Sequence, residues 1–334
     1  MSAHDLSAAD AVERLEGLAR RGLSAYGVGP DATLELLNIS ENATYLVDDP
    51  AGGRTILRVH RRGYHNHAQI SSELAWLDAL RADAGIRTPR VIPGRDGERV
   101  VTLPDGDGSS DNSRHAVMFE WLPGVEPPDE HLVDSFEGLG ELTARMHEHT
   151  RAWRRPAGFD RFAWDYEAAF GAVARWGRWQ DGIAVGPAER EILGRLDAAL
   201  HRRLTAFGQG PDRFGLIHAD LRLANLLVHG PDTFVIDFDD SGWSWLLYDL
   251  GAALSFIEHD PRVPELVDSW TRGYRRIREL PAADEAEIPT FVMMRRLLLV
   301  AWIGSHAGTE LARSMGAEFT ATSCDLAEAY LTGG

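Results

Sequence analysis

Two neighbouring segments of the chain carry the side chains with the clearest capacity for chemistry. The first reads LIHADLRLANLLV at 216–228, and the second reads FVIDFDD at 234–240. Asp220 can accept the proton of a hydroxyl group, and Asn225 and Asp237 offer the oxygen ligands that Mg²⁺ takes in proteins. This combination predicts a metal-assisted reaction in which Asp220 orients an attacking hydroxyl group and accepts its proton.

The spacing of the two segments predicts a β-hairpin that brings the metal ligands together. A turn centred on Pro231 joins two apolar runs and places Asn225 opposite Asp237. Side chains paired in this way lie about 5 Å apart on one face of a hairpin. Asp239 shares that face, and contacts a second ion, only if the second strand continues that far. The alternative is a buried hairpin whose Asp and Asn side chains bond only to backbone groups in turns.

Charge indicates which partners the chain accepts. Residues 215–260 contain eight acidic residues and a single arginine, Arg222, so this region repels anions unless metal ions neutralise it first. The whole chain of 334 residues has a formal net charge of −17, which argues against nucleic acid as a partner.

Two residue types are scarce enough to exclude whole classes of protein. All 34 basic residues other than histidine are arginine, and without lysine there is no Schiff-base enzyme, no pyridoxal-phosphate anchor and no Walker A loop. The single cysteine, Cys324, excludes an intrachain disulfide and a cysteine-rich zinc module. With no signal-like N-terminus and no run of 18 uninterrupted apolar residues, we expect a soluble, cytoplasmic protein without a membrane partner.

The pattern of elements predicts an α+β protein of two lobes. Residues 1–121 read as an N-terminal lobe, with a first amphipathic helix that ends at Gly27, short antiparallel strands and one helix over 67–83. Residues 122–334 read as a larger, mostly helical lobe that contains the hairpin. We expect its helices at 131–149, 165–180, 187–207, 245–259, 263–278 and, with breaks, 285–330.

Several motifs together resemble the aminoglycoside-phosphotransferase superfamily, which has the bilobal protein-kinase-like fold. The likeness rests on the segments around Asp220 and Asp237 and also on LNISEN at 37–42, LRVHRRGY at 57–64, Met146-His147, Tyr248-Asp249-Leu250 and the MRRL run at 294–297. Within the superfamily, the chain is most similar to the bacterial stress-response Ser/Thr kinase group. The resemblance covers most of the chain.

The resemblance implies a role for each matching residue. Asp220 would be the catalytic base, Asn225 and Asp237 would bind Mg²⁺, and Asp249 would support the catalytic loop. The residues that it assigns to ATP lie in the N-terminal lobe. They are Arg58, which stands where such kinases have a phosphate-binding lysine, its ion-pair partner Glu73, the phosphate-covering segment with Ser40 and Asn42, and the adenine-binding hinge from Glu120 to Leu122.

The chain departs from the usual pattern of the family at three positions. The family's His-Gly-Asp is His-Ala-Asp here, with Ala219 at its centre, and its histidine two residues after the base is Arg222. Arg222 can supply positive charge to the γ-phosphate. Arg58 replaces lysine, and although arginine is larger and planar, its fork still binds phosphate oxygens.

These observations predict an enzyme that transfers the γ-phosphate of ATP to a hydroxyl acceptor with the help of Mg²⁺. The stress-kinase likeness implies Ser or Thr of a protein, and the superfamily implies a small molecule such as an aminoglycoside or another cationic alcohol. A nucleotide-binding pseudokinase and a hydrolase in which Asp220 activates water are the alternatives. The sequence leaves the oligomeric state open.

Two further sets of residues have both a functional and a structural interpretation. Trp176, Trp179, Trp243 and Trp245 could line an acceptor pocket, although aromatic residues of a helical lobe usually belong to its core. The arginines at 272–278 and at 295–296 are interpreted as solvated faces or salt-bridge partners, with substrate binding as the alternative.

Overall fold

A computed structural model describes residues 8–39, 42–104 and 113–333, and these residues form two compact units. One unit comprises Met1–Asp78, Thr88–Pro123 and Arg155–Asp160. The other comprises Ala79–Arg87, Gly124–Arg154 and Arg161–Gly334. Each unit therefore draws on stretches that are separated in the sequence.

The first unit is built on an antiparallel sheet. Its strands are β1 (Thr33–Ile39), β2 (Asn42–Asp49), β3 (Gly53–His60), β4 (Val91–Ile92), β5 (Val101–Pro104) and β6 (Ser113–Glu120). They lie in the order β1-β2-β3-β6-β4, and β5 also pairs with β6. Strand β2 alternates buried and more exposed residues over most of its length, and β3 ends in a run of buried residues. Both patterns are typical of a sheet that covers a core.

Two helices accompany this sheet. Helix α1 (Ala8–Gly22) continues into a 3-10 turn at Leu23–Tyr26 and ends at Gly27, whose φ of +81° suits a residue without a side chain. Leu18 of this helix belongs to one buried apolar cluster with Leu57 and Met118 of the sheet. Helix α2 (His67–Ala84) matches the helix expected at 67–83 and carries Glu73.

The second unit is mostly helical. Its helices are α3 (Leu132–Ala152), α4 (Tyr166–Phe170), α5 (Pro187–Phe207), α6 (Tyr248–Ala253), α7 (Val263–Arg275), α8 (Ala282–Glu285), α9 (Ile288–Ser305) and α10 (Glu310–Gly333). Its strands pair as β7 (Phe214–Ile217) with β10 (Gly242–Trp245) and β8 (Leu226–His229) with β9 (Asp232–Val235). The α+β fold class is therefore as expected.

Two helices expected in this unit are much shorter in the structure: residues 165–180 contain α4 (Tyr166–Phe170), and residues 245–259 contain α6 (Tyr248–Ala253). The helix expected at 165–180 stops at Phe170 because Gly171 ends it in an extended conformation and Gly177 has a φ of +87°. The pairing of β7 with β10 was not predicted, since each strand is four residues long and their partners are far apart in sequence.

The hairpin forms, but its register differs from the expected one by one residue. Leu226 pairs with Val235 and His229 pairs with Asp232, so the turn has two residues, Gly230 and Pro231, and its centre lies between them. Gly230 has a φ of +58°, as two-residue hairpin turns require. Asn225 consequently lies opposite Ile236, whose N–H donates to the Asn225 carbonyl at 3.0 Å, and not opposite Asp237.

The most apolar helix lies in the interior of the second unit. One described helical segment, Ala282–Ser305, is long and apolar enough to cross a membrane, but 83% of its most apolar window is buried within the chain. This segment contains α9, from which both Arg295 and Arg296 project into buried surroundings. It therefore acts as a core helix in this structure.

Helices α3 and α7 approach each other unusually closely at two glycines. A Cβ atom built on Gly140 would lie 2.0 Å from the carbonyl oxygen of Trp270, and one built on Gly273 would lie 1.9 Å from that of Glu137. Both contacts are with backbone, which cannot rotate away. Gly138, on the exposed side of α3, has open space around the same position.

We expect Gly140→Ala to lower the free energy of unfolding by about 2 kcal/mol or more, because the two helices must separate. The matched change Gly138→Ala should instead raise it by about 0.5–1 kcal/mol, since alanine favours a helix interior over glycine. Urea unfolding of both variants measures the difference. Equal effects of the two substitutions would contradict the close helix contact.

Candidate active site

Asp249 holds the backbone of the loop that carries Asp220. The loop follows β7, and the carboxylate of Asp249, at the start of α6, accepts the N–H of Ala219 at 2.7 Å and the N–H of His218 at 3.4 Å. Asp249 is 1% exposed, so these bonds lie in a low-dielectric interior where they are strengthened. The loop is therefore fixed before any ligand binds.

Two further helices hold Asp249 in turn. His147 on α3 places its Nε2 2.9 Å from Oδ2 of Asp249, and its Nδ1 lies 2.9 Å from the hydroxyl group of Tyr274 on α7. A neutral ring with its proton on Nε2 satisfies both contacts, donating to the carboxylate and accepting from the tyrosine. The packing of α3, α6 and α7 thus determines where the loop lies.

The loop also contains a strained residue. Ala219 has a φ of +66°, the left-handed region that favours glycine, and it is 1% exposed. This is the position at which the resembled family has glycine. The two hydrogen bonds to the backbone at 218–219 hold the alanine in a conformation that costs about 1–2 kcal/mol.

The carboxylate of Asp220 is held from several directions. Arg295 Nη2 donates to its Oδ1 at 2.6 Å, and Asn225 Nδ2 donates to its Oδ2 at 2.9 Å and to its backbone carbonyl at 2.7 Å. The Nε atom of Arg222 lies 3.4 Å from the same carboxylate. The side chain of Asp220 is 14% exposed, so it retains a small opening to its surroundings.

These neighbours set the ionisation of Asp220. Burial opposes the charged form, but the positive charges of Arg222 and Arg295 outweigh it and hold the pKa of Asp220 below its ordinary value. The group is therefore a carboxylate at neutral pH. Since its pKa is lower in the folded protein, its contribution to stability is present above the ordinary pKa near 4 and is lost as the pH falls further.

His218 connects the loop of Asp220 to the loop of Asp237. Its Nε2 lies 3.1 Å from the carbonyl oxygen of Ile236, and its Nδ1 accepts the N–H of Asp220 at 3.3 Å. Burial lowers the pKa of this histidine, so the ring is neutral and donates through Nε2. One side chain thereby keeps a fixed relation between the two chemically important segments.

Asn225 and Asp237 each carry the type of oxygen atom that a hard divalent cation binds, and their role as metal ligands stays a prediction. Because the amide nitrogen of Asn225 donates twice to Asp220, its oxygen Oδ1 is directed away from that residue. Asp237 follows the end of β9, is exposed and has a φ of +61°. Both supply oxygen atoms, the ligand type of Mg²⁺. Within residues 8–39, 42–104 and 113–333, no three His, Cys, Asp or Glu side chains cluster as a metal site.

The second strand of the hairpin does not continue as far as Asp239, which was the condition for Asp239 to share a face with Asp237. Strand β9 ends at Val235, so side-chain alternation does not extend to residue 239. Instead, Asp239 is buried in a loop that Arg161 holds by its backbone, with Nη2 donating to the Asp239 carbonyl and Nε donating to the Ser241 carbonyl at 2.6 Å. The condition for side-chain alternation is therefore not met, and a contact between Asp239 and a second ion stays a prediction.

The first unit contains the residues expected to contact the nucleotide. Arg58 on β3 forms an ion pair with Glu73 on α2, with Nη2 and Oε1 2.6 Å apart and both side chains buried. The guanidinium group also lies over the ring of Phe119, 5.1 Å from its centre. This ion pair was expected from the sequence, and its role toward phosphate stays a prediction.

The other expected nucleotide residues have structural partners or fall outside the described chain. Asn42 accepts the N–H of Arg61 through Oδ1 at 3.2 Å, and Ser40 lies outside the described residues. Glu120 exchanges two hydrogen bonds with Arg90, one through its N–H and one through Oε1, both at 2.9 Å. Leu122 follows the end of β6.

Sequence reasoning missed the importance of Arg295. The arginines at 295–296 are salt-bridge partners, as one of the two structural interpretations had it, and not a solvated face, because the two side chains are 3% and 1% exposed and each forms a buried ion pair. Two arginines within the apolar run FVMMRRLLLVAW were the available signal, since a charge inside a core helix needs a partner. Only the fold shows that the partner of Arg295 is Asp220.

The tryptophans divide between the site and the core. Trp176 lies under the guanidinium group of Arg295, with 5.1 Å from that group to the ring centre. Trp179 and Trp245 are buried, and their indole N–H groups donate to Asp197 and to the carbonyl of Gly208. The last two therefore act as core residues, while Trp176 is one contact away from Asp220.

Comparisons with known proteins identify the family of the chain. Residues 33–285 match the model of the phosphotransferase enzyme family, and the chain therefore belongs to that family. It is 30% identical over 257 residues to amicoumacin kinase of Bacillus subtilis, a match that covers 73% of this chain and 72% of that protein. The protein is thus a phosphotransferase with an alcohol group as acceptor.

Two solved structures are similar over almost the whole chain. A microcompartment-associated aminopropanol kinase is 52% identical, with a TM-score of 0.87 and coverage of 95% of this chain and 98% of that one. An amicoumacin kinase in complex with AMP-PNP, Ca²⁺ and Ami has a TM-score of 0.76 at 22% identity, and the match covers 96% of this chain and 95% of that one. The protein-kinase-like fold is thereby confirmed.

We expect Ala219→Val to lower the free energy of unfolding by about 3 kcal/mol or more, because a branched side chain is both strained at this φ and too large for the space. Ala219→Gly should stay within about 1 kcal/mol of wild type, since the relief of strain offsets the lost methyl group and the added freedom of the unfolded chain. Urea unfolding measures both. A valine variant as stable as the glycine variant would contradict the left-handed conformation.

Proposed function

We propose that the protein transfers the γ-phosphate of ATP to the hydroxyl group of a small amino alcohol such as aminopropanol. The observation that carries this proposal is the 52% identity with an aminopropanol kinase over 95% of the chain. The aligned region covers nearly the whole chain, so the match is not confined to the shared motifs.

In the proposed reaction, Asp220 orients the acceptor. The acceptor oxygen forms a bond to the γ-phosphorus while the bond from that phosphorus to the bridging oxygen of ADP breaks, and the hydroxyl proton passes to Asp220 and then to water. The two arginines that lower the pKa of Asp220 make it a weak base. Its main contribution is therefore to align the hydroxyl group, with proton transfer late in the reaction.

The remaining residues serve the nucleotide and its cation. Asn225 and Asp237 would hold Mg²⁺, which supplies positive charge to the phosphate oxygens when it is bound. Arg222, beside Asp220, would neutralise charge on the transferred phosphate. In the first unit, Arg58 would bind phosphate oxygens in the orientation that Glu73 gives it, and the segment with Ser40 and Asn42 and the hinge from Glu120 to Leu122 would contact the rest of ATP.

A protein Ser/Thr acceptor is the second candidate, which the sequence motifs favour through their likeness to stress-response kinases. The relatives described above are named as kinases of small molecules, and this supports the amino alcohol. The two candidates differ in the size of the acceptor, so a panel of acceptors separates them.

We expect ADP release to be stimulated by aminopropanol isomers and ethanolamine more than by aminoglycosides, homoserine or a Ser/Thr-containing protein. Asp220→Asn should lower kcat by about 10³-fold, because a neutral amide neither orients nor deprotonates the hydroxyl group in the same way. The matched control is Asp232→Asn, at the start of β9 in the same hairpin, where the carboxylate pairs with Arg87; it should change kcat less than twofold.

Other outcomes of this assay each have a definite meaning. Stimulation by the protein alone would replace the amino alcohol with a Ser/Thr acceptor. ADP release that no acceptor stimulates would indicate a hydrolase. ATP binding without turnover would indicate a pseudokinase.

We expect Asp237→Asn to raise the Mg²⁺ concentration needed for half-maximal activity by about tenfold or more, since one charged ligand is lost. Asparagine tolerates a positive φ, so the backbone at this position is preserved. A Mg²⁺ titration of ADP release measures the shift, and thermal unfolding without metal should be nearly unchanged. An unaltered titration would contradict the role of Asp237 as a ligand.

A further inference from the structure

Helix α9 buries two adjacent arginines that have similar surroundings but different partners. Arg296 donates to Ser323 Oγ at 2.7 Å, to Glu258 Oε2 at 2.7 Å and to the Phe319 carbonyl at 3.0 Å. Arg295 is the neighbour that reaches Asp220. Each guanidinium group is thus paired with a carboxylate and bonded on several of its nitrogens, as a buried charge requires.

The guanidinium group of Arg295 is fixed independently of Asp220. Its Nε donates to Ser255 Oγ at 2.8 Å, and its Nη1 lies 3.2 Å from the hydroxyl group of Tyr248 and 3.4 Å from the Ala219 carbonyl. The ring of Trp176 lies against it, and the side chain is 3% exposed. Because Nε and Nη1 are bonded to these groups, Nη2 is the remaining nitrogen of the planar fork, and it donates to Asp220.

We propose that Arg295 is a positioning residue for phosphoryl transfer, which fixes the plane of the Asp220 carboxylate and hence the direction in which it receives the acceptor hydroxyl group. Arg295 holds Oδ1 at 2.6 Å, while Asn225 holds Oδ2 at 2.9 Å. Two donors on two different oxygens remove the rotation of the carboxylate that a single donor would permit. This inference rests on the proposed function, because it takes Asp220 as the group that meets the acceptor.

Because of the same contacts, Arg295 orients the Asp220 carboxylate and is not available to bind substrate. Its donors are directed to Ser255, Tyr248, Ala219 and Asp220, and its side chain is almost completely enclosed. Lysine at this position keeps the charge but lacks the planar fork, so it cannot reproduce these bonds together. Loss of the fork should therefore alter kcat and leave the Michaelis constants nearly unchanged.

The test is a double-mutant cycle between Arg295→Lys and Asp220→Asn, measured as kcat with labelled ATP and the preferred acceptor. We expect Arg295→Lys to lower kcat by about 100-fold, the order of loss that a misplacement of about 1 Å causes, with each KM changed less than threefold. In the Asp220→Asn background, Arg295→Lys should lower kcat by less than a further threefold, since the carboxylate through which Arg295 acts is already altered.

Arg296→Lys is the matched control, because it makes the same chemical change one residue away in an equally buried ion pair. It should lower the thermal unfolding temperature about as much as Arg295→Lys does, while kcat stays within threefold of wild type. Ser255→Ala provides a milder second variant that removes only the Nε anchor of Arg295, and it should lower kcat several-fold in a protein that folds normally.

Two results would overturn the inference while the proposed function stands. One is a kcat of Arg295→Lys equal to that of Arg296→Lys, and the other is the same fold loss from Arg295→Lys with and without Asp220. If the wild type transfers phosphate to none of the acceptors, the proposed function itself is wrong and this inference is wrong with it.

Discussion

The buried carboxylate of Asp249 is the constraint on which the rest of the catalytic unit depends. The chain leaves β7 and turns sharply at Ala219, which directs the N–H groups of His218 and Ala219 inward, where no water can satisfy them. Asp249 accepts both. Its own charge is balanced by hydrogen bonding to His147, and Tyr274 fixes that histidine from the other side. Three helices thus cooperate to hold one short loop.

A second balance of charge acts on Asp220 itself. A carboxylate this enclosed would be disfavoured without partners, yet two arginines and an asparagine amide surround it and keep it ionised. The two arginines make the carboxylate a weaker base, and the same contacts hold its orientation. For phosphoryl transfer, in which the attacking oxygen needs alignment more than early deprotonation, this is the more useful property.

Much of the site follows from local sequence, because its residues lie close together in the chain. The spacing of Asp220, Asn225 and Asp237 around a short turn indicated a metal-assisted phosphotransferase, and the family relationship agrees with it. The register was wrong by one residue because the turn contains two residues, Gly230 and Pro231, whereas a turn centred on Pro231 would contain three, and the backbone dihedral angles decide which of them forms. Spacing alone does not specify those angles.

The sequence by itself determined the reaction class, the α+β composition and the pairing of Arg58 with Glu73, since each depends on residue types at short spacing or on a recognisable pattern. Only the tertiary structure decided that Arg295 faces Asp220, that Arg296 faces Glu258 and that His147 supports Asp249. These contacts join residues 38–102 positions apart, and they depend on how helices pack. The packing of the helices determines which partner a buried charge has, and no local pattern in the sequence predicts that partner.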